Sequence, residues 1–186
     1  MDARLKPAHD GSQMSLAIRP ATPADVPAIT RIYAHAVETG TASFELTPPD
    51  EAEMAQRMAS LLTKDFPYLA AEVDGAATGY AYAGPYRARP AYRFTVEDSV
   101  YIAPDQQGRG IGRALLAALV EASGARGFRQ MIAVIGDSEQ AASIAVHAAA
   151  GFYYVGTFPH VGHKFGRWLD TVLMQRALGP GSTTAP

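Results

Sequence analysis

The sequence predicts a mixed α/β fold, one sheet with helices set between and around its strands. Two observations carry this. Apolar residues recur at helical spacing in some stretches (Val26, Ile29, Ile32, Tyr33, Ala36, Val37) and form short strand-like runs in others, such as residues 68–73 and 131–135. Turn residues separate these stretches, with no internal repeat and no linker, so residues 16–178 read as one domain.

Residues 16–19 make a short first strand. Thr22-Pro23-Ala24-Asp25 starts a helix, with Thr at the N-cap, Pro at the first helical position and an acid at the third. That helix runs to Gly40. A second begins near Asp50 and carries Met54, Met58, Leu61 and Leu62 on one face, the methionines as core filler. Residues 68–73 and 78–83 flank Asp74-Gly75 as a hairpin. A loop rich in Pro, Arg and Tyr spans residues 84–93. A strand follows at 94–103, a helix at 110–124 and a β-branched strand at 131–135. An alanine-rich helix at 138–150 stops at Gly151, and residues 152–158 and 168–175 are the last strands. Residues 1–15 and 179–186 are low in apolar content and read as a flexible leader and a flexible tail.

Composition narrows the function. The 186 residues suit one full-sized core. A formal net charge of -2 with no long basic run argues against a nucleic-acid groove. The absence of cysteine removes disulfides, thiolate zinc sites and cysteine nucleophiles. No apolar run approaches the ~20 residues that span a bilayer, and residues 1–15 lack a signal-peptide core. The expectation is a cytoplasmic protein with no nucleic-acid or membrane partner.

The most informative stretch is Gln107-Gly108-Arg109-Gly110-Ile111-Gly112, between a strand and a helix. Three glycines strip side chains from a turn, so backbone N–H groups can converge on an anion at the positive end of the following helix. A pyrophosphate is the natural guest. The spacing is neither G-x-G-x-x-G nor G-x-x-x-x-G-K-[ST], which sets aside the commoner nucleotide folds.

Gln107, Gly110 and Gly112 do match Gln/Arg-x-x-Gly-x-Gly/Ala. That pattern resembles the signature of the GCN5-related N-acetyltransferase (GNAT) superfamily. Three further blocks narrow the resemblance: residues 97–102, residues 143–147 leading into Gly151-Phe152, and residues 161–170. Together they are similar to the branch that N-acetylates phosphinothricin and methionine sulfoximine or sulfone. The resemblance implies a mostly antiparallel GNAT sheet with a splayed strand pair, and acetyl-CoA as cosubstrate without a metal. By the same resemblance Val100, Tyr101 and Ile102 pair with the pantetheine arm. Amides from Gly108 through Arg109, Gly110, Ile111 and Gly112 to Arg113 hold the pyrophosphate, with Gln107, Ser143 and Gln140 as further cofactor contacts. Gln140 stands where this branch has asparagine, so the contact is made from longer reach, lost, or taken over by Ser138.

Transfer to an amine needs a neutral amine, a polarised thioester and a proton for the thiolate. Glu97 is the candidate base, on the strand face shared with Ser99 and Tyr101; the alternative is an orienting carboxylate. His147, where many relatives carry a tyrosine, is either the acid that protonates the thiolate or a packing histidine. Arg87, Ala88 and Arg89 align with the branch's acceptor-binding stretch, and guanidinium forks suit a carboxylate or phosphinate. Phe44 and Glu45, after the first helix, form another wall of that pocket. Trp168 closes the acceptor site or packs at a homodimer interface. His160 and His163 lack a third ligand, so no metal site is expected.

The expected activity is acetyl-CoA-dependent N-acetylation of the α-amino group of a small amino acid or analogue, by a homodimer. Two other readings stand beside it: acetylation of a peptide N-terminus or polyamine, and a non-catalytic CoA-binding sensor. A polyamine calls for an acidic pocket, against the arginine loop. A sensor has no use for Glu97 and His147.

Overall fold

The computed structural model describes residues 15–186, so the leader expected over residues 1–15 lies, apart from Ser15, outside the described residues. Seven strands form one sheet: β1 (Leu16–Pro20), β2 (Tyr68–Val73), β3 (Ala76–Pro85), β4 (Thr95–Ile102), β5 (Gln130–Gly136), β6 (Tyr153–Lys164) and β7 (Arg167–Ala177). Their order is β1-β2-β3-β4-β5-β7-β6. Every neighbouring pair is antiparallel except β4 and β5. The parallel pair is joined by a helical crossover, as such a pair requires.

Helices α1 (Val26–Thr39) and α2 (Glu51–Leu62) pack on one face, and α3 (Ile111–Ala125) and α4 (Ala141–Ala149) on the other. The first face buries Ile29, Ile32 and Val37 of α1 and Met54 and Met58 of α2 against Tyr68 and Tyr80. The second buries Leu115, Leu116 and Leu119 against Val96, Met131 and Ala133. Each such leucine contributes about 1.5–3 kcal/mol relative to exposure, so the apolar stripe of α3 fixes its N-terminus relative to β4.

β4 and β5 pair only from Thr95↔Gln130 to Asp98↔Ala133. Past that point β4 continues to pair with β3 from Tyr82↔Ser99 to Gly79↔Ile102, and β5 with β7 from Val134↔Leu173 to Gly136↔Thr171. The two strands therefore splay apart and leave facing edges open to each other.

Some elements differ from the sequence expectation. α4 starts at Ala141 rather than 138, because Asp137 adopts a left-handed φ of 75° and accepts the Glu139 N–H at 3.1 Å, holding residues 137–140 in a turn. β6 continues to Lys164, beyond 158: bulges absorb Tyr154–Gly156 and Phe158–Gly162, and His160, at φ 56°, donates its N–H to Asp170. Leu62 is 41% exposed and off the buried face of α2. The first helical turn, Pro23–Asp25, is 3₁₀, with Asp25 accepting the Thr22 N–H at 2.7 Å. Residues 179–186, expected to be a flexible tail, turn back onto β5. Arg129 donates to the Gly181 carbonyl, the Thr184 hydroxyl and the Ala185 carbonyl.

Candidate active site

The glycine-rich turn has the geometry its composition implies. Gly108 and Gly110 adopt φ of 75° and 80°, and Gly110 is the N-cap of α3. A left-handed N-cap strains any residue with a Cβ. A Cβ at either position meets nothing within 4 Å, so open space lies in front of the turn. The amides of Ile111, Gly112 and Arg113 open the helix and have no intrahelical acceptor. Gln107 and Arg113 are exposed beside them, and Arg109 donates to the Gln106 side chain at 2.9 Å.

The gap between β4 and β5 leads away from this turn. Counting the space open to solvent it is about 430 Å³, lined by Asp98, Ser99, Val100 and Tyr101 on one side and Ala133, Val134, Ile135 and Gly136 on the other. Val100 and Ile102 pack toward α3. Tyr101 packs on the opposite face, edge-on to Tyr33 with centroids 5.1 Å apart. Their side chains are thus committed, and what these residues offer a ligand is the unpaired backbone edge. A linear amide-bearing arm fits such an edge as an added strand. One buried acceptor of a gap-lining residue, Asp98 Oδ1, has no hydrogen-bond partner. The residues present therefore suit acetyl-CoA: a helix start for its diphosphate, a strand edge for its amides and an orphan acceptor for an N–H.

His147 lines the gap and is 5% exposed. Its Nδ1 donates to the Ser143 carbonyl at 2.7 Å, and its Nε2 lies 2.9 Å from Asp98 Oδ2. Burial works against the charged ring, but the hydrogen bond and charge of Asp98, with the Ser143 carbonyl, prevail and raise its pKa. Because the Nδ1 proton is fixed by the carbonyl, the proton that matters chemically lies between Nε2 and Asp98. Gln140 also lines the gap, but its amide donates to Thr41 at 3.0 Å, and Ser138 is bonded to Asp170.

Glu97 faces away from His147. Strand alternation puts Glu97 with Ser99 and Tyr101, and their partners Tyr82 and Tyr80, on the α1/α2 face, while Asp98 points to α4. Its pKa is pushed up to about 7 by burial first and the neighbouring Asp98 charge second, against the pull of Arg87. A carboxyl in that range changes state near neutral pH, as a general base requires. Arg87 lies over the Tyr86 and Tyr92 rings, 5.1 and 5.9 Å from their centroids. Ala88 and Arg89 are exposed in the same loop.

Phe44 packs where only glycine leaves room. A Cβ at Gly162 would stand 2.2 Å from its ring, and one at Gly136 2.8 Å. The segment that carries it, between α1 and α2, is anchored by Lys164, whose Nζ donates to the Gly40 carbonyl at 2.9 Å and the Ser43 carbonyl at 2.7 Å. Burial lowers the Lys164 pKa. The sequence placed Lys164 in the 161–170 block without a role of its own, since its two carbonyl partners lie more than 120 residues away.

A second cavity on the Glu97 face, about 980 Å³ counted the same way, escaped the sequence reading altogether. Tyr33, Tyr68, Tyr80, Tyr82, Met54 and Arg57 are among its walls. The Tyr80-x-Tyr82 alternation was the only sequence signal for it. Tyr68 stacks on both Tyr80 and Tyr82, with centroids 5.9 and 5.1 Å apart. Glu45 accepts from the Tyr33 hydroxyl at 2.9 Å and from Arg57 at 2.7 Å. Among the described residues, no three His, Cys, Asp or Glu side chains are grouped to hold a metal ion, and no helix is long and apolar enough to cross a membrane.

Residues 18–173 match the family described as acetyltransferase (GNAT) domain. The chain is 59% identical over 162 residues to a phosphinothricin N-acetyltransferase of Alcaligenes faecalis, covering 87% of this chain and 82% of that one. It is 44% identical over 168 residues to an L-methionine sulfoximine/L-methionine sulfone acetyltransferase of Pseudomonas aeruginosa, covering 90% and 97%. A crystal structure of a GNAT-superfamily phosphinothricin acetyltransferase from Sinorhizobium meliloti in complex with acetyl-CoA superposes with a TM-score of 0.90. It is 50% identical, with 93% of this chain and 94% of that one covered.

Proposed function

The chain belongs to the GNAT acetyltransferase family, and from that premise we propose that it transfers acetyl from acetyl-CoA to the α-amino group of a small amino acid or analogue. Phosphinothricin and methionine sulfoximine or sulfone, the acceptors in its relatives' names, are the acceptors proposed here. The observation that carries this is the Glu97 carboxyl, pushed up to about 7 by burial, at the point where two strands part and on the side of the exposed Arg87 loop.

Acetyl-CoA supplies an activated acetyl group and departs as a thiol. The amides of residues 108–113 hold its diphosphate, and the open edge of Val100, Tyr101 and Ile102 holds its amides. Ser143 borders the same gap. On the α1/α2 face Glu97 removes a proton from the acceptor's ammonium group, leaving a neutral nucleophile. Arg87 and Arg89 take the acceptor's anionic group, and Phe44 and Ala88 bound its side chain. On the other face His147 holds a proton for the departing thiol.

A homodimer is part of the proposal. Tyr153, Tyr154, Val155, Phe158, Val161, Phe165 and Trp168 are each more than half exposed on the terminal hairpin. An apolar edge strand of this kind favours association with a second copy, and this supports Trp168 at the interface rather than over the acceptor. The cysteine-free composition and the need for acetyl-CoA support a cytoplasmic setting.

A thiol-release assay with acetyl-CoA tests the assignment against phosphinothricin, methionine sulfone, free amino acids, an alanyl peptide and spermidine. The first two should release thiol and give the N-acetylated product by mass. Release with spermidine alone would refute it, since the arginine loop repels a polycation.

A further inference from the structure

Asp98 has a position that neither the glycine turn nor the base on the other face explains. It is 7% exposed, and its two carboxylate oxygens point at different things. Asp98 lines the β4–β5 gap; its Oδ2 meets His147 Nε2 at 2.9 Å, while its Oδ1 is buried without a partner. A buried orphan carboxylate oxygen costs free energy and is rare, so its retention beside a ligand gap points to a partner that arrives with the ligand.

We infer that Asp98 is the positioning residue for His147: it fixes the imidazole beside the β4–β5 gap, with the Nε2 proton held toward Oδ2, and offers Oδ1 to an N–H of whatever occupies the gap. This rests on the acetyltransferase reading only for what that occupant is.

The surroundings of the ring leave Asp98 as the charge that acts on it. From its own helix come the Ser143 carbonyl and hydroxyl, the latter 3.5 Å from Nδ1. Phe152 packs edge-on with centroids 5.1 Å apart. Arg176 of β7 donates to the Ala150 carbonyl at the C-terminal end of α4, and Glu97 points to the other face of the sheet. A buried imidazole without Asp98 has one hydrogen-bonded nitrogen and no counter-charge, and burial then favours its neutral form.

Sign and direction follow. The His147 pKa is raised in the folded protein, so the pair stabilises the fold below the ordinary histidine value, and that stabilisation is lost as pH rises through the raised value. Asp98→Asn keeps the size of the side chain and removes the charge. In the unliganded protein, histidine-detected NMR titration should place the His147 midpoint above 6.5 in the parent and below it in Asp98→Asn. Turnover should fall about tenfold with the KM for acceptor unchanged. Asp98→Asn added to His147→Asn should cost nothing further, because two residues acting as one unit are not additive.

An unchanged His147 midpoint in Asp98→Asn would overturn the inference, as would losses that multiply in the double variant. Should Asp98→Asn fail to fold, the parent titration decides: a midpoint below 6.5 refutes the pair. If no acceptor is acetylated at all, the proposed reaction fails while the NMR arm still tests the pair.

Discussion

Replacing Glu97 by Gln should lower turnover by about a hundredfold and leave acetyl-CoA affinity within about twofold. The first figure is the low end of what a positioned general base contributes. Gln keeps the shape and hydrogen-bonding capacity of the side chain but cannot accept a proton. Affinity is spared because the elements suited to acetyl-CoA lie at the start of α3 and along the open edge of β4 beyond Glu97. In the parent, kcat/KM should rise with pH through about 7 as Glu97 ionises, and this limb should vanish in the variant. Stability moves the other way. The folded pKa lies above the unfolded carboxyl value, so the contribution of Glu97 to stability is full below that unfolded value. It is lost as pH rises through about 7. Glu97→Gln should therefore melt at a higher temperature than the parent at pH 8, with the advantage shrinking toward pH 5. A thermal scan at the two pH values, beside a pH–rate profile, checks both halves. Undiminished turnover would leave Glu97 an orienting carboxylate only.

The second large effect belongs to Gly110. Substituting Glu there should weaken acetyl-CoA binding by about a hundredfold. Two costs combine. A residue with a Cβ at φ 80° carries about 1–2 kcal/mol of strain. The added carboxylate also enters the open space in front of the turn, against a diphosphate that needs the same amides. Losing two charge-assisted hydrogen bonds at about 1.5 kcal/mol each is about a hundredfold in affinity. Because nothing lies within 4 Å of the new Cβ, the fold itself should survive, and circular dichroism verifies that before binding is measured. Affinity equal to the parent's would place the diphosphate elsewhere.

What the sequence disclosed and what it hid divide along one physical line. Periodicity marked α1, α2 and α3 because their buried faces are local patterns, and glycine spacing marked the α3 turn because only glycine takes those φ values readily. Glu97 was visible because strand alternation assigns a face without knowledge of any partner. The role of Asp98 was not visible, since it depends on a histidine 49 residues away brought to it by the packing of α4 on the sheet. The tyrosine cavity was hidden for the same reason: Tyr33, Tyr68, Tyr80 and Tyr82 come from three different elements and meet only across the folded face. Lys164 entered the sequence reading only as part of the 161–170 block; it is buried because the segment after α1 turns two carbonyls toward it. The late start of α4 was missed because Asp137 takes a backbone conformation that composition does not announce.

Calorimetric titration of the protein with acetyl-CoA, set against acetylpantetheine, tests the central claim most directly. The second compound keeps the thioester and the amide arm but lacks the diphosphate. Saturable binding of acetyl-CoA at one site per chain, at least tenfold tighter than acetylpantetheine and weakened by salt, is the predicted result. Equal affinity for the two, or no heat with either, would contradict it.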